Sequence, residues 1–199
     1  MKIRFVRHGE TDWNVQKRIQ GGTDIELNET GMEQAKQLGQ TIAEQKLEIA
    51  KIYTSKLQRA YKTAQIIGEC IHKEVIPMDG LEEIHFGQWE GMRWSEVKEQ
   101  FPLQYQVWNE NRRYEKAPEG ETYQELMERV LNALRKIIQE NEQDVLVVTH
   151  SADIVTLLAM IHYTPFSVMF EQYKIGNAKV IEIDRDDLLA IDLTESFEK

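Results

Sequence analysis

The sequence has little cysteine, no surplus of positive charge and no long apolar run. Cys70 is the single cysteine, which excludes an internal disulfide and a CxxC metal site. We expect it to be a small buried side chain on a helix, in a protein of the reducing cytosol. No stretch approaches the roughly 20 apolar residues of a membrane-spanning helix, and the apolar run near the N-terminus is too short for a signal peptide. The single cysteine and the lack of a long apolar run predict a cytoplasmic protein that does not bind a membrane.

The charge balance is acidic, with 24 lysines and arginines against 34 aspartates and glutamates and a formal net charge of -10. Proteins that bind nucleic acid normally carry a basic face, and no basic stripe is evident here. We therefore expect no nucleic-acid partner. In so acidic a chain, an arginine beside a histidine indicates a local requirement for positive charge.

The composition and the order of the predicted elements indicate one α/β domain. The chain has 199 residues, of which 41% are hydrophobic and 29% charged, as in ordinary globular domains. Hydrophobic periodicity predicts strands at residues 2–6, 50–53, 74–78 and 145–148, and helices at 30–45, 56–71, 123–139 and 152–162. Strands that alternate with helices favour a three-layer α/β/α sandwich around a mainly parallel sheet.

Two further regions carry weaker patterns. Residues 179–184 and 188–193 have the pattern of a terminal hairpin. Residues 81–121 predict a small covering subdomain within the single domain 1–199, with a short helix from about Arg93 and a break at Pro118-Glu119-Gly120. The aromatic residues of this segment form either the apolar wall of a site or the core of the subdomain, and we favour the core.

Arginine and histidine follow three of the predicted strands. Arg7 and His8 follow the first strand, Arg59 lies one helical turn beyond the second, and His150 follows the strand at 145–148. Ligands of parallel sheets bind at the carboxyl ends of strands, so we expect these side chains to share one pocket. Arginine matches phosphate oxygens bidentately, and a neutral imidazole attacks phosphorus directly. The pattern therefore favours phosphoryl transfer, although each residue alone also fits a structural or solvated role.

A leaving alkoxide needs a proton, and Glu82 and Glu83 are the candidate donors. A carboxyl beside a bound phosphate has a raised pKa, because like charges disfavour its ionisation. Such a group protonates the leaving oxygen and then activates water. The residues alone leave open which of the two glutamates does so.

The motif Arg7-His8-Gly9-Glu10-Thr11, followed by Asn14, resembles the signature of the histidine phosphatase superfamily, the phosphoglycerate mutase-like proteins. Further blocks resemble the family in the same order along the chain, from residue 3 to about 160. They are Gln20-Gly21, Asp24, Leu27-Asn28-Glu29-Thr30-Gly31, Thr54-Ser55-Lys56-Leu57-Gln58-Arg59, Glu83 with Gly87, Pro118-Glu119-Gly120-Glu121-Thr122, and Val147-Val148-Thr149-His150. The resemblance implies a phosphoglycerate mutase-like fold.

The resemblance also implies catalytic roles. His8 is the nucleophile that forms a phosphohistidine, and Arg7, Arg59 and His150 hold the phosphoryl group. Glu83 is the proton donor, because it occupies the family position four residues before the glycine of its loop.

Other positions follow from the same resemblance. Asn14 assists in the pocket, Gln20 and Gly21 line it, and the family needs no metal or other cofactor. Two residues depart from the family pattern. Ser151 replaces a common glycine, where it either caps the following helix or narrows the pocket. Glu26 replaces a common proline, which affects loop stiffness.

Three functions fit this reading. The first is a phosphatase of small phosphorylated metabolites, which the short chain and compact covering segment favour. The second is a phosphoglycerate mutase-type isomerase, for which Arg112 and Arg113 are the candidate residues that bind a second anion; they equally fit a solvated charged face. The third, a non-catalytic phospholigand binder, is disfavoured because His8, Glu83 and both strand-end arginines are present. The sequence indicates neither the physiological substrate nor the oligomeric state.

Overall fold

A five-stranded sheet lies at the centre of the computed structural model, which describes residues 1–195. The strands are β1 Lys2–Arg7, β2 Ile52–Thr54, β3 Val75–Pro77, β4 Val145–Thr149 and β5 Val180–Asp184, in the order β3-β2-β4-β1-β5. The first four strands pair in parallel, and β5 is antiparallel to β1 at the edge. The predicted mainly parallel sheet is confirmed.

The helices of the described residues pack on both faces of this sheet. They are α1 Asp12–Val15, α2 Glu29–Glu44, α3 Gln58–Ile71, α4 Trp94–Gln100, α5 Pro102–Glu110, α6 Tyr123–Glu140, α7 Ser151–Ile161, α8 Met169–Gln172 and α9 Arg185–Leu189, with a 3₁₀ turn at Gly87–Trp89. The four long helices α2, α3, α6 and α7 begin and end within two residues of the predicted bounds. No helix in residues 1–195 is both long and apolar enough to cross a membrane.

Two cores confirm the predicted three layers, and both follow from the two-residue period of the strands. One core joins the sheet to α2 and α3, and its sheet residues are Val6, Ile52, Leu146 and Val148. The other joins the opposite face to α6 and α7, and its sheet residues are Ile3, Phe5, Tyr53, Val145 and Val147. β4 is buried along its whole length, as expected for a central strand covered by helices on both sides.

The loop after β1 is pressed against the start of α2. Asn28 caps this helix by accepting a hydrogen bond from the Gly31 backbone N–H at 2.8 Å, and its Nδ2 donates to Glu10 Oε1 at 3.0 Å. A Cβ at Gly9 would lie 2.4 Å from the Gly31 carbonyl oxygen, so the two backbones meet where a larger residue does not fit. This close contact fixes the backbone next to His8.

The segment between β3 and α6 lies over the carboxyl edge of the sheet and has its own aromatic core. Trp89 is fully buried, and its ring meets that of Trp108 edge-on at 5.4 Å. Trp94 stacks on Trp108 at 5.2 Å. These aromatic residues pack together, as expected for a core, but Phe86, Trp94, Tyr105 and Trp108 also line a cavity, so both roles considered for them are present. The limits of a covering subdomain at about residues 81 and 121 stay a prediction.

Two predictions from the sequence are wrong. Residues 180–184 form a strand, but no hairpin follows, because α9 begins at Arg185 and buries Leu188. Asp186 and Asp187 in the first turn of α9 favour a helix start, since carboxylates interact well with a helix N-terminus. Cys70 lies on α3 as expected but is only partly buried.

Candidate active site

A cavity of about 480 Å³ opens at the carboxyl ends of β1 and β4. Most of the residues predicted to form the site line this cavity, namely Arg7, His8, Asn14, Gln20, Gly21, Glu83, Arg112 and Ser151. Arg59 and His150 lie next to it and are fully buried. The carboxyl ends of the parallel strands β1, β2 and β4 meet at this edge, as the sequence pattern predicts.

His8 extends the ladder of β1, because its backbone N–H donates to the Thr149 carbonyl oxygen at 3.0 Å. Its Nδ1 lies 2.7 Å from the Gly9 carbonyl oxygen, which only accepts hydrogen bonds. The hydrogen of a neutral ring therefore lies on Nδ1, and Nε2 keeps its lone pair. Burial lowers the pKa of His8 well below its usual value, and the charges of Arg59 and Arg7 lower it further. His8 is therefore a neutral imidazole at pH 7, with one ring nitrogen free to act as a nucleophile.

Arg7 and Arg59 are anchored by carbonyl groups and keep further donors available. Arg59 donates to the carbonyl oxygens of Thr23 at 2.8 Å and Gly21 at 2.7 Å, and Arg7 donates to that of Ile175 at 2.7 Å. The Nε atoms of both arginines are buried and have no hydrogen-bond partner within residues 1–195. Burial lowers the pKa of both guanidinium groups, but their usual value is so high that they stay charged. The site thus holds two positive charges and two unused donors for an anion.

His150 lies beside the nucleophile, with 5.3 Å between the centroids of its ring and that of His8. Its Nε2 is 2.8 Å from the hydroxyl oxygen of Ser55, which follows β2. Its Nδ1 is buried and has no protein partner in the described part of the chain. Burial, and next the charge of Arg59, lower the pKa of His150 well below its usual value, so this ring is also neutral.

Glu83, rather than Glu82, reaches the same cavity. Its Oε1 accepts hydrogen bonds from the backbone N–H of Ile84 at 3.2 Å and of Ala152 at 3.1 Å, so that the carboxyl group lies at the start of α7. Burial raises the pKa of Glu83, against the opposing charges of the two arginines. Glu82 points instead to the Gly80 backbone N–H, which donates to its Oε2 at 2.8 Å.

The loop that carries Glu83, residues 80–83, is called the acid loop below. Arg129 of α6 donates to its carbonyl oxygens at Gly80, Glu82 and Glu83 at 3.2, 2.6 and 3.1 Å. The Thr149 hydroxyl contacts the remaining carbonyl oxygen, that of Leu81, at 2.9 Å. Four consecutive carbonyl groups are therefore held by two side chains, which fixes the position of the Glu83 carboxyl.

The other predicted lining residues are also in place. Asn14 Oδ1 accepts hydrogen bonds from the Thr11 backbone N–H at 3.1 Å and from Asn177 Nδ2 at 3.3 Å. Gln20 Oε1 is buried without a partner in residues 1–195. Gly21 has a positive φ of 53°, a conformation that suits glycine, and its carbonyl oxygen anchors Arg59.

Ser151 is the first residue of α7 and lines the cavity. The N-cap of this helix is His150, whose side chain makes no capping hydrogen bond. Of the two roles considered for Ser151, the structure thus favours narrowing of the pocket over capping.

The structure separates Arg112 from Arg113. Arg112 lines the cavity, with its guanidinium 4.7 Å from the ring centroid of Trp108. Arg113 is fully buried and is not brought to the cavity. It donates to Gln124 Oε1 and to the carbonyl oxygens of Leu193 and Glu195, so it ties the C-terminal segment to α6.

Several residues of the site were not predicted. Ser55, Asn177, Arg18, Lys98, Tyr123 and Phe170 contact the catalytic groups or line the cavity. Ser55 follows a parallel strand, so its position was a usable signal. Asn177 donates to the His8 carbonyl oxygen at 3.0 Å from a distant loop, and nothing in the sequence near it indicates this contact. Within residues 1–195, no three His, Cys, Asp or Glu side chains are grouped so as to hold a metal ion.

Comparisons with known proteins agree with this geometry. The family model of the histidine phosphatase superfamily (branch 1) matches residues 3–188. The chain is 40% identical to "Uncharacterized phosphatase PhoE" of Bacillus subtilis over 160 residues, which are 80% of this chain and 76% of that protein. It is 37% identical to "Phosphoserine phosphatase 1" of Hydrogenobacter thermophilus over 152 residues, 76% and 71% of the two chains. The solved structure of Bacillus stearothermophilus YhfR superposes with a TM-score of 0.83 at 32% identity and covers 92% of this chain and 90% of its own. The family, its phosphatase relatives and the assembled site support a phosphoric monoester hydrolase, and the chain belongs to the histidine phosphatase superfamily.

Proposed function

We propose that this enzyme hydrolyses small phosphorylated metabolites through a phosphohistidine on His8, and that it needs no metal ion. One observation carries the proposal: a neutral imidazole with a free Nε2 lies beside two buried guanidinium groups with unused donors. Phosphoryl transfer depends mainly on positioning and on stabilisation of charge, and arginine supplies both.

In the first step, Nε2 of His8 attacks phosphorus while Arg7 and Arg59 bind the phosphoryl oxygens. The bond between phosphorus and the ester oxygen breaks, and its electron pair leaves with the oxygen. Glu83, whose pKa is raised by burial, gives its proton to that oxygen. The products are the free alcohol, phosphorylated His8 and the Glu83 carboxylate.

In the second step, water attacks the phosphohistidine. The Glu83 carboxylate takes a proton from this water, the bond between phosphorus and Nε2 breaks, and its electron pair returns to the ring. Inorganic phosphate leaves, and both His8 and Glu83 regain their starting protonation states.

His150 is proposed to donate a hydrogen bond to a phosphoryl oxygen. That role needs the hydrogen on Nδ1, the buried nitrogen without a partner in the described chain. The Ser55 hydroxyl, 2.8 Å from Nε2, would then donate to Nε2. Since the ring is neutral, its contribution is a hydrogen bond rather than a charge.

Three cations that line the cavity support a substrate with a second anionic group. They are Arg18, Lys98 and Arg112, and Glu83 is the only acidic residue that lines the cavity within residues 1–195. The Arg112 Nε is buried and lacks a partner among these residues. Trp94, Tyr105 and Trp108 supply an apolar wall beside the cations. A short metabolite that carries a carboxylate or a second phosphate fits this combination.

A panel of phosphorylated metabolites, assayed with the unaltered enzyme and with His8→Ala, tests the proposal. We expect phosphate release from several members and none with His8→Ala; equal release by both proteins would refute the nucleophile. The mutase alternative predicts that 3-phosphoglycerate, primed with the bisphosphate, is isomerised faster than it is hydrolysed. Phosphate release without isomerisation excludes that alternative.

The second-anion proposal is tested with Arg112→Gln. We expect a higher KM for substrates with a carboxylate or a second phosphate and little change for p-nitrophenyl phosphate, which has no second anion. Arg135→Gln is the matched control, because Arg135 is exposed on α6 and does not line the cavity. Equal effects of Arg112→Gln on both substrate types would contradict the proposal.

A further inference from the structure

A second carboxyl group is buried behind the acid loop. Asp153, the third residue of α7, has 1% of its surface exposed. Its Oδ2 makes a short hydrogen bond with the Thr149 hydroxyl, and its Oδ1 is buried without a partner in residues 1–195. No ion pair to Asp153 is formed within these residues; the nearby Arg129 is bound to Glu121 and to the acid loop. The mechanism above gives this group no role.

A count of hydrogens favours a protonated Asp153. The Thr149 hydroxyl has one hydrogen and contacts two oxygens, Leu81 O and Asp153 Oδ2. A neutral carboxyl group satisfies both contacts, because Thr149 then donates its hydrogen to the Leu81 carbonyl and Asp153 supplies the hydrogen of the second contact. With an ionised Asp153, the one hydrogen of Thr149 would leave one of the two acceptor oxygens without a hydrogen bond from this hydroxyl.

The surroundings of Asp153 agree with a neutral carboxyl. A buried carboxylate with one unused oxygen and no ion pair is costly, and such groups keep their proton instead. Glu83 of the acid loop and Glu121 before α6 add negative charge nearby, and Arg129 of α6 opposes them. Burial is the largest influence, and it raises the pKa of Asp153 well above its usual value.

We propose that Asp153 retains its proton in the folded enzyme at neutral pH and is a positioning residue, which holds the acid loop through the hydroxyl of Thr149. The link to catalysis rests on the proposed role of Glu83. An ionised Asp153 would draw the Thr149 hydrogen away from the Leu81 carbonyl, and its negative charge near Glu83 would disfavour the loss of the Glu83 proton. A neutral Asp153 avoids both effects, so that Glu83 can lose and regain its proton in each catalytic cycle.

The first test is independent of catalysis and uses Asp153→Asn, whose amide donates to Thr149 but cannot titrate. An aspartate in the unfolded chain is ionised above about pH 4. If Asp153 is protonated in the folded state, the unaltered protein therefore takes up one proton when it folds. Its folded state then loses stability as the pH rises from about 4 towards the raised pKa of Asp153. Its unfolding equilibrium constant should increase relative to that of Asp153→Asn by about tenfold for each pH unit.

Urea unfolding of both proteins between about pH 5 and pH 7 measures this ratio. A ratio that stays constant with pH would overturn the assigned proton. If Asp153→Asn does not fold, infrared spectroscopy of Glu83→Gln gives the answer. The carbonyl band of a protonated carboxyl should persist in that variant at neutral pH, and its absence would overturn the proposal.

The second test addresses positioning and compares Thr149→Val with Thr149→Ser, which keeps the hydroxyl. We expect Thr149→Val to slow hydrolysis of an alkyl phosphate about tenfold more than Thr149→Ser, as expected for one lost hydrogen bond. In the Glu83→Gln background the two variants should be equally active, because the residue that they position no longer acts as an acid. A tenfold difference in both backgrounds would overturn positioning through Glu83. Full activity of Glu83→Gln itself would instead count against the proposed function.

Discussion

Replacing Glu83 by glutamine separates the acid role from the architecture of the site. The amide oxygen of glutamine can accept the same hydrogen bonds that Ile84 and Ala152 donate to Oε1 at 3.2 and 3.1 Å. The acid loop keeps its own anchors, because Arg129 and Thr149 bind its carbonyl groups rather than the Glu83 side chain. We therefore expect a folded protein with an intact cavity that lacks only the transferable proton.

The size of the effect follows from the leaving group. General acid catalysis is typically worth 10²–10⁴-fold in rate, or about 2.7 to 5.5 kcal/mol of transition-state free energy. An alkoxide needs the whole of this assistance, whereas p-nitrophenolate leaves as an anion. We expect Glu83→Gln to reduce kcat/KM by about 10²–10⁴-fold for alkyl phosphates and much less for p-nitrophenyl phosphate.

The assay is steady-state phosphate release from both substrate types by both proteins, with urea unfolding as a control for the fold. The pKa of Glu83 is raised in the folded state, so ionisation of this group reduces the stability of the folded enzyme as pH increases above the usual glutamate value. Glu83→Gln should thus be no less stable at neutral pH. An equal loss of activity on both substrates, from a folded variant, would refute Glu83 as the acid.

Further predictions concern pH, metal and the local fold. The kcat/KM of the unaltered enzyme should fall at high pH, where Glu83 loses its proton, and at low pH, where His8 gains one. The fall at low pH should lie well below the usual histidine pKa, because the pKa of His8 is lowered. The fall at high pH should be absent in Glu83→Gln, and its persistence in that variant would assign it to another group. Dialysis against EDTA should leave kcat unchanged, and a loss that added Mg²⁺ restores would contradict metal independence. Asn28→Ala should destabilise the protein by about 1 kcal/mol, because it removes the N-cap of α2, and unchanged urea unfolding would contradict this role.

Much of the fold could be predicted because its elements are long and periodic. The apolar residues of α6 recur at helical spacing and are buried in the structure, and its predicted end differs from the observed one by one residue. α1 was missed because its four residues, Asp12–Val15, are too few to show a period, and α1 is held by the capping of Thr11 and Asn14. The terminal hairpin failed because residues 185–189 form α9, and Leu188 of this helix joins the core that also contains apolar residues of α6 and α7.

The site was predictable where one rule applied to several residues at once. The carboxyl ends of parallel strands share an edge, and this rule alone brings Arg7, His8 and His150 together. The same rule does not predict which of two neighbouring residues with the same side chain faces the cavity. Arg112 and Arg113 have the same side chain, yet one lines the cavity and the other binds C-terminal carbonyl groups.

The most direct measurement of the central claim is detection of the phosphorylated residue. Rapid mixing with labelled substrate, an alkaline quench and mass spectrometry of the peptides should show phosphate on His8, formed and lost at rates no slower than turnover. His8→Ala should show no label. Phosphate release at the full rate without labelled His8, or label on His150 instead, would contradict the account.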